Sequence, residues 1–160
     1  MADRASAMIR IGGTISRNLI PALLEAIECD GGKADWEGNA IDFSHIADGR
    51  ILEVCAYELI GGQFECVEAF CRTRGIAYVR RSDACSGAFG PERAVHTGDG
   101  SPRHYELNDA DQIVLTQREL NDLGSIVAAN AWFQAGDFAL PPLSIGTRES
   151  PSLYRENGDG

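Results

Sequence analysis

Lysine is almost missing from this chain: Lys33 stands against thirteen arginines. A basic set made of arginine suits planar, bidentate contacts, or follows genomic base composition. With 24 acidic side chains and a net charge of -10, the balance opposes the usual route to nucleic acid, in which Lys and Arg displace counterions from phosphates. Long apolar runs are missing too; none approaches the roughly 18 residues of a membrane span. The opening Met-Ala-Asp-Arg lacks a cationic leader with an apolar stretch behind it. Position 2 is Ala, which excludes myristoylation, and the final Asn-Gly-Asp-Gly offers no cysteine to prenylate. These absences predict a cytoplasmic protein with no direct nucleic-acid ligand and no membrane partner.

Catalytic signatures are equally scarce. There is no Gly-x-Ser-x-Gly elbow, and Gly12-Gly13-Thr14 has neither of the spacings that cradle phosphate, so it reads as a bulge or a close backbone approach. The five cysteines, Cys29, Cys55, Cys66, Cys71 and Cys85, form no CxxC pair and mostly sit in apolar stretches, which predicts reduced core thiols. Cys85 is the one in a polar loop, near Arg80 and Arg81, and the one to test for reactivity. Asp109-Ala110-Asp111 resembles the DxD element of nucleotide-sugar glycosyltransferases, but those enzymes need a larger nucleotide-binding domain, and a capped entry to a strand is the simpler account. His96 and His104 flank a turn with Asp99 in it. If Thr97 paired with Arg103 the imidazoles would lie opposite one another, the weak beginnings of a zinc or iron site. No cofactor is expected.

What is present is enough for one domain with a real core: 160 residues, 44% of them hydrophobic. The pattern predicts a strand over Ala7–Ile15, then a helix carrying Leu19, Leu23, Leu24 and Ile27 that ends at Gly31-Gly32. Strands over Ala40–Ile46 and Arg50–Glu58 flank Ala47-Asp48-Gly49. Phe64, Val67, Phe70 and Cys71 mark a second helix ended by Gly75, and Ile76–Arg81 a further strand. That order, βαββαβ, predicts an α+β ferredoxin-like sandwich. A C-terminal hairpin over Arg93–Thr97 and Arg103–Leu107, a short strand over Gln112–Leu115 and a third helix capped by Thr116 and running to about Ala135 add to it. The domain is expected to span residues 1–146, with a mobile polar tail over 147–160.

Charge is segregated along this frame. Residues 25 to 68 carry eleven acids against two bases, whereas residues 72 to 103 carry six arginines against three acids. Glu25, Glu28 and Asp30 close the first helix, where its dipole disfavours acids, and Asp35, Glu37, Asp42 and Asp48 follow in the loop. The pattern predicts a non-catalytic module that docks on a basic protein partner through these seven acids, beside the plainer account of a solvated face. Small acidic inhibitors from phages and mobile elements, anti-CRISPR proteins among them, occupy nucleic-acid grooves in this way; the likeness is one of charge and size, with no shared motif. A homodimer in which Arg72, Arg74, Arg80 and Arg81 meet the acidic region of a second copy is a further expectation. The alternative is a small metal-dependent enzyme or small-molecule binder using the sheet face or the His96/His104 hairpin.

Overall fold

The structure is a computed structural model that describes residues 2–146; the tail expected over 147–160 lies outside the described residues. The chain forms a mixed α/β fold with a six-stranded, mostly antiparallel sheet and four helices. The elements are β1 (Arg4–Ser16), α1 (Ile20–Cys29), β2 (Leu52–Ile60), α2 (Glu65–Arg74), β3 (Ala77–Ser82), β4 (Glu92–His96), β5 (Arg103–Glu106), α3 (Gln117–Leu123), α4 (Ile126–Gly136) and β6 (Leu143–Gly146). Strand order is β2-β1-β3-β4-β5, and β6 runs parallel to the end of β1.

The long first strand organises the rest. Both β2 and β3 run antiparallel to β1, so they are parallel to each other with β1 between them, and β2-α2-β3 is a split βαβ unit. Register sorts the side chains. Ile9 faces Val54 on one side and Arg80 on the other, while Ile11 faces Leu52 and Tyr78. The apolar members of this set share one buried core with Leu23 and Ile27 of α1 and Val67 and Cys71 of α2, and Arg80 is buried on the same face. The opposite sheet face is covered at the β4–β5 end, where Trp132 of α4 packs on Tyr105 with ring centroids 4.7 Å apart.

Several expectations need correction. The ferredoxin-like βαββαβ order is not the observed one, because residues 40–46 form no strand. Asp42 instead accepts from Ser44 N and His45 engages its backbone, closing a short 3-10 turn over Phe43–His45. The outer edge of β2 is met by Lys33, whose backbone exchanges two hydrogen bonds with Cys55. The Gln112–Leu115 strand reduces to an isolated bridge between Leu107 and Ile113. The third helix is two helices: Gly124 adopts a left-handed conformation that ends α3, and Ser125 caps α4 by accepting from Ala128 N. Strand β6 was not expected. It seats against the glycine pair, where a Cβ on Gly12 would stand 1.8 Å from the Pro141 carbonyl oxygen.

Candidate functional site

Residues 31–51 join α1 to β2 as a loop held by its own polar groups. Asp35 accepts from Glu37 N, Asn39 N and Asn39 Nδ2, and Asp48 accepts from Ile145 N at 2.7 Å, tying the loop to β6. Tyr57, pointing out of β2, donates to the Trp36 carbonyl at 2.9 Å and meets the Trp36 ring edge-on at 5.0 Å. The pair stays open to solvent, Tyr57 at 60% and Trp36 at 40% exposure, and Phe43 is exposed as well. Tyrosine and tryptophan, with one polar end and a large apolar face, are enriched where proteins meet partners.

The predicted acids divide in two groups. Glu25 and Glu28 are exposed and line a groove of about 330 Å³ with Lys33 and Ile41. Glu37 is exposed beside the aromatic pair's loop. Asp30 instead turns inward: its two oxygens accept from Cys66 N and Val67 N in the first turn of α2. Burial raises the Asp30 carboxyl, and those two backbone donors offset the rise in part. Asp35 and Asp42 are held below the usual carboxylate range, by the Asn39 side chain and by the Ser44 hydroxyl respectively, so both stay ionised at neutral pH. Asp30, Asp35, Asp42 and Asp48 are thus hydrogen-bond acceptors for the backbone as well as charges.

The four arginines expected to form a self-association patch do not lie on one surface. Arg80 and Arg81 are adjacent in a strand and project to opposite sheet faces. Arg80 is fully buried, its Nε 3.0 Å from Glu68 and its Nη2 3.1 Å from Glu92, with Ser82 Oγ accepting from Nη1. The Nε contact with Glu68 is an ion pair by distance without the alignment of a hydrogen bond. Arg81 pairs with Asp83 and Asp111, which also places the second carboxylate of the Asp109-Ala110-Asp111 tripeptide in an ion pair. Arg72 and Arg74 are exposed; Arg72 reaches the Tyr78 hydroxyl and Arg74 lies over the Phe70 ring.

The hairpin histidines share a sheet face but are staggered. Register pairs Val95 with Arg103 and Ala94 with His104, so the Thr97–Arg103 pairing does not form. His96 is buried, stacked on Tyr78, with Nδ1 3.0 Å from the Ile76 carbonyl oxygen; His104 is at the surface, 2.9 Å from Glu92. Asp99 is exposed in the turn.

The expectation of five reduced thiols is overturned by a disulfide between Cys29 and Cys66, whose Cα atoms are 6.3 Å apart. Thirty-seven residues separate them, so local pattern held no signal for the pair. Cys55 and Cys71 are free and buried; burial pushes both thiols up, Cys71 to about 12. Cys85 is free and half-buried. Among the described residues, the group with donors placed to hold a metal is Cys29, Asp30 and Cys66, whose donor atoms all lie within 4.8 Å of one another. No described helix is long and apolar enough to cross a membrane. Comparison with protein-family models, with curated proteins and with solved structures returns no match.

Proposed function

We propose that the chain is a non-catalytic protein-binding module that docks on a basic partner through the acidic segment, with Trp36 and Tyr57 as its apolar anchor. The observation that carries this reading is the exposed aromatic pair, in which Tyr57 of β2 pins Trp36 of the loop that also carries Asp35, Glu37 and Asp42. Interfaces draw most of their binding energy from a few aromatic or arginine residues, while charges around them steer encounter and select the sign of the partner. An exposed aromatic pair in a segment that also carries Asp35, Glu37 and Asp42 offers a group for each half of that description. A cationic groove built to hold nucleic acid has the sign for such a surface, and inhibition of a nucleic-acid-handling complex in the cytoplasm is the role we assign.

The test separates the two halves. Replacing Asp35, Glu37 and Asp42 by Asn or Gln should slow association with a basic partner captured from the host, and raised salt should do the same, since exposed charges are screened over about 8 Å at physiological ionic strength. Tyr57→Ala should instead speed dissociation by roughly thirtyfold, the effect of losing about 2 kcal/mol at an anchor. Normal association of the charge-neutralised chain at low salt would refute the docking surface.

A further inference from the structure

We infer that Cys29, Cys66 and Asp30 form a redox-switched site for a soft divalent cation of the zinc class: closed as a disulfide when oxidised, and metal-binding when reduced. The site goes beyond the docking role and does not depend on it. Three observations carry the inference. The two sulfurs and a carboxylate oxygen lie together at the junction of α1 and α2. Asp30, which accepts at the N-terminus of α2, is also within reach of both sulfurs, and each of its oxygens accepts a single backbone N–H, which leaves each with a free lone pair. The cluster opens on a cleft of about 290 Å³ lined also by Glu58, Glu65 and the single cation Arg4, enough room and a net negative lining for an ion with water completing its shell.

The geometry suits both states. A Cα separation of 6.3 Å lies within the span of a disulfide. Two thiolates on one tetrahedral zinc, each about 2.3 Å from the metal, sit about 3.8 Å apart, a spacing reached by side-chain rotation with the helices left in place. Asp30 supplies the third donor. Two thiolates and a carboxylate select zinc-class ions over magnesium or calcium, which take oxygen ligands alone.

Switching between the states balances as ordinary thiol exchange with a dithiol reductant. A thiolate of the reductant attacks the sulfur of Cys29, the more exposed residue of the pair, the Cys29–Cys66 bond breaks, and the electron pair leaves on Cys66. Cys66 stands in the first turn of the ten-residue α2, where the helix dipole favours a leaving thiolate. The second thiol of the reductant then attacks its own sulfur in the mixed disulfide, which frees Cys29 and oxidises the reductant. Metal binding holds both sulfurs as thiolates and releases their protons to solvent. In a reducing compartment, paired cysteines near a carboxylate serve metal or redox chemistry more often than permanent bracing.

The test uses the full chain, reduced without oxygen by a phosphine that is then removed. Titration with Co²⁺ should give a thiolate charge-transfer absorption that saturates at one ion per chain, and Zn²⁺, the tighter binder, should displace it. The oxidised chain, folded and identical in sequence, should show none, which keeps the result readable if a cysteine variant misfolds. Cys29→Ser or Cys66→Ser should weaken binding at least about tenfold, and Cys85→Ser should leave it unchanged. Bound Zn²⁺ should also slow reoxidation by a disulfide oxidant. A reduced, folded chain with no charge-transfer band, a band that titrates as tightly in Cys29→Ser as in the unaltered chain, or a disulfide that resists the phosphine while the chain is folded would each overturn the site.

Discussion

Arg80→Met is the most informative single change to the core. The guanidinium has no solvent exposure, and it sits between Glu68, itself buried, and Glu92. The Glu68 oxygen that faces Arg80 also accepts from Phe64 N at 2.7 Å, so Glu68 is fixed at the start of α2 and cannot follow a lost partner out to water. Methionine fills most of the volume but leaves that carboxylate uncompensated. Removing one member of a buried pair costs about 3–5 kcal/mol, whereas replacing both members by neutral groups is often close to neutral. At about 4 kcal/mol, the melting temperature should fall by roughly 8–16 °C.

Urea unfolding followed by circular dichroism measures the loss, and the double variant Arg80→Met/Glu68→Gln decides its origin. The amide at 68 can still accept from Phe64 N, so the double variant should recover at least about half of the stability lost in Arg80→Met. A single variant that costs less than about 1 kcal/mol would refute the reasoning, because it would mean that Glu68 reaches solvent or another donor. So would a double variant as unstable as the single one, which would assign the effect to lost packing of the arginine stem.

Two further outcomes follow from the hydrogen bonds. Burial pushes the Glu92 carboxyl up, but the His104 hydrogen bond and the Arg80 charge outweigh it and hold the group below its ordinary 4.5. A carboxyl depressed in the folded state adds stability above its unfolded value and loses it as pH falls through the folded one. Unfolding titrations should therefore show a Glu92→Gln deficit at pH 7 that shrinks as pH falls below the ordinary glutamate range and through the depressed folded value. Thr116 accepts from Glu119 N while Glu119 reaches back to Thr116 N, so Thr116→Ala should cost about 1 kcal/mol, read from urea midpoints at unchanged slope.

The elements legible in the sequence are those whose apolar period matched a buried face. Ile9 and Ile11 announced β1, Leu23 and Ile27 announced α1, and Val67 and Cys71 with Gly75 behind them announced α2; each of these apolar side chains is in the core. Residues 40–46 misled because Ile41 and Ile46 read as strand while Asp42 acted as a cap, a local hydrogen bond that apolar pattern does not weigh. Strand β6 has four residues, and its partner begins 130 positions earlier at Gly13, so no nearby turn marked it. Of the candidate site, the acids were visible and their anchoring was not. Arg80 was read as surface by its type, although Tyr78 and Ser82, two residues to either side, are buried on the same face. Trp36 and Tyr57 sit 21 positions apart in segments without shared period, and only the folded loop brings them together.

Asp30 shows why the acids at the end of α1 could be misjudged from local rules. A carboxylate there opposes the dipole of its own helix, but this one lies at the N-terminus of α2, where the dipole favours it and two backbone donors wait. Asp35 and Asp42 likewise satisfy backbone N–H groups of a loop that has no ladder of its own, and Asp48 accepts from Ile145 N of β6, which ties that loop to the sheet. One carboxylate can therefore shape the loop and project charge at once, and the two roles are separable by chemistry. Asparagine caps a backbone donor about as well as aspartate does but carries no charge. At Asp42 and Asp48, where one side-chain oxygen does the accepting, Asn should keep the loop and the aromatic pair in place while removing the field. Alanine at the same positions removes both. A docking surface of the kind proposed should lose association rate with Asn and lose further affinity with Ala, whereas acids that only brace the loop should tolerate Asn and fail with Ala.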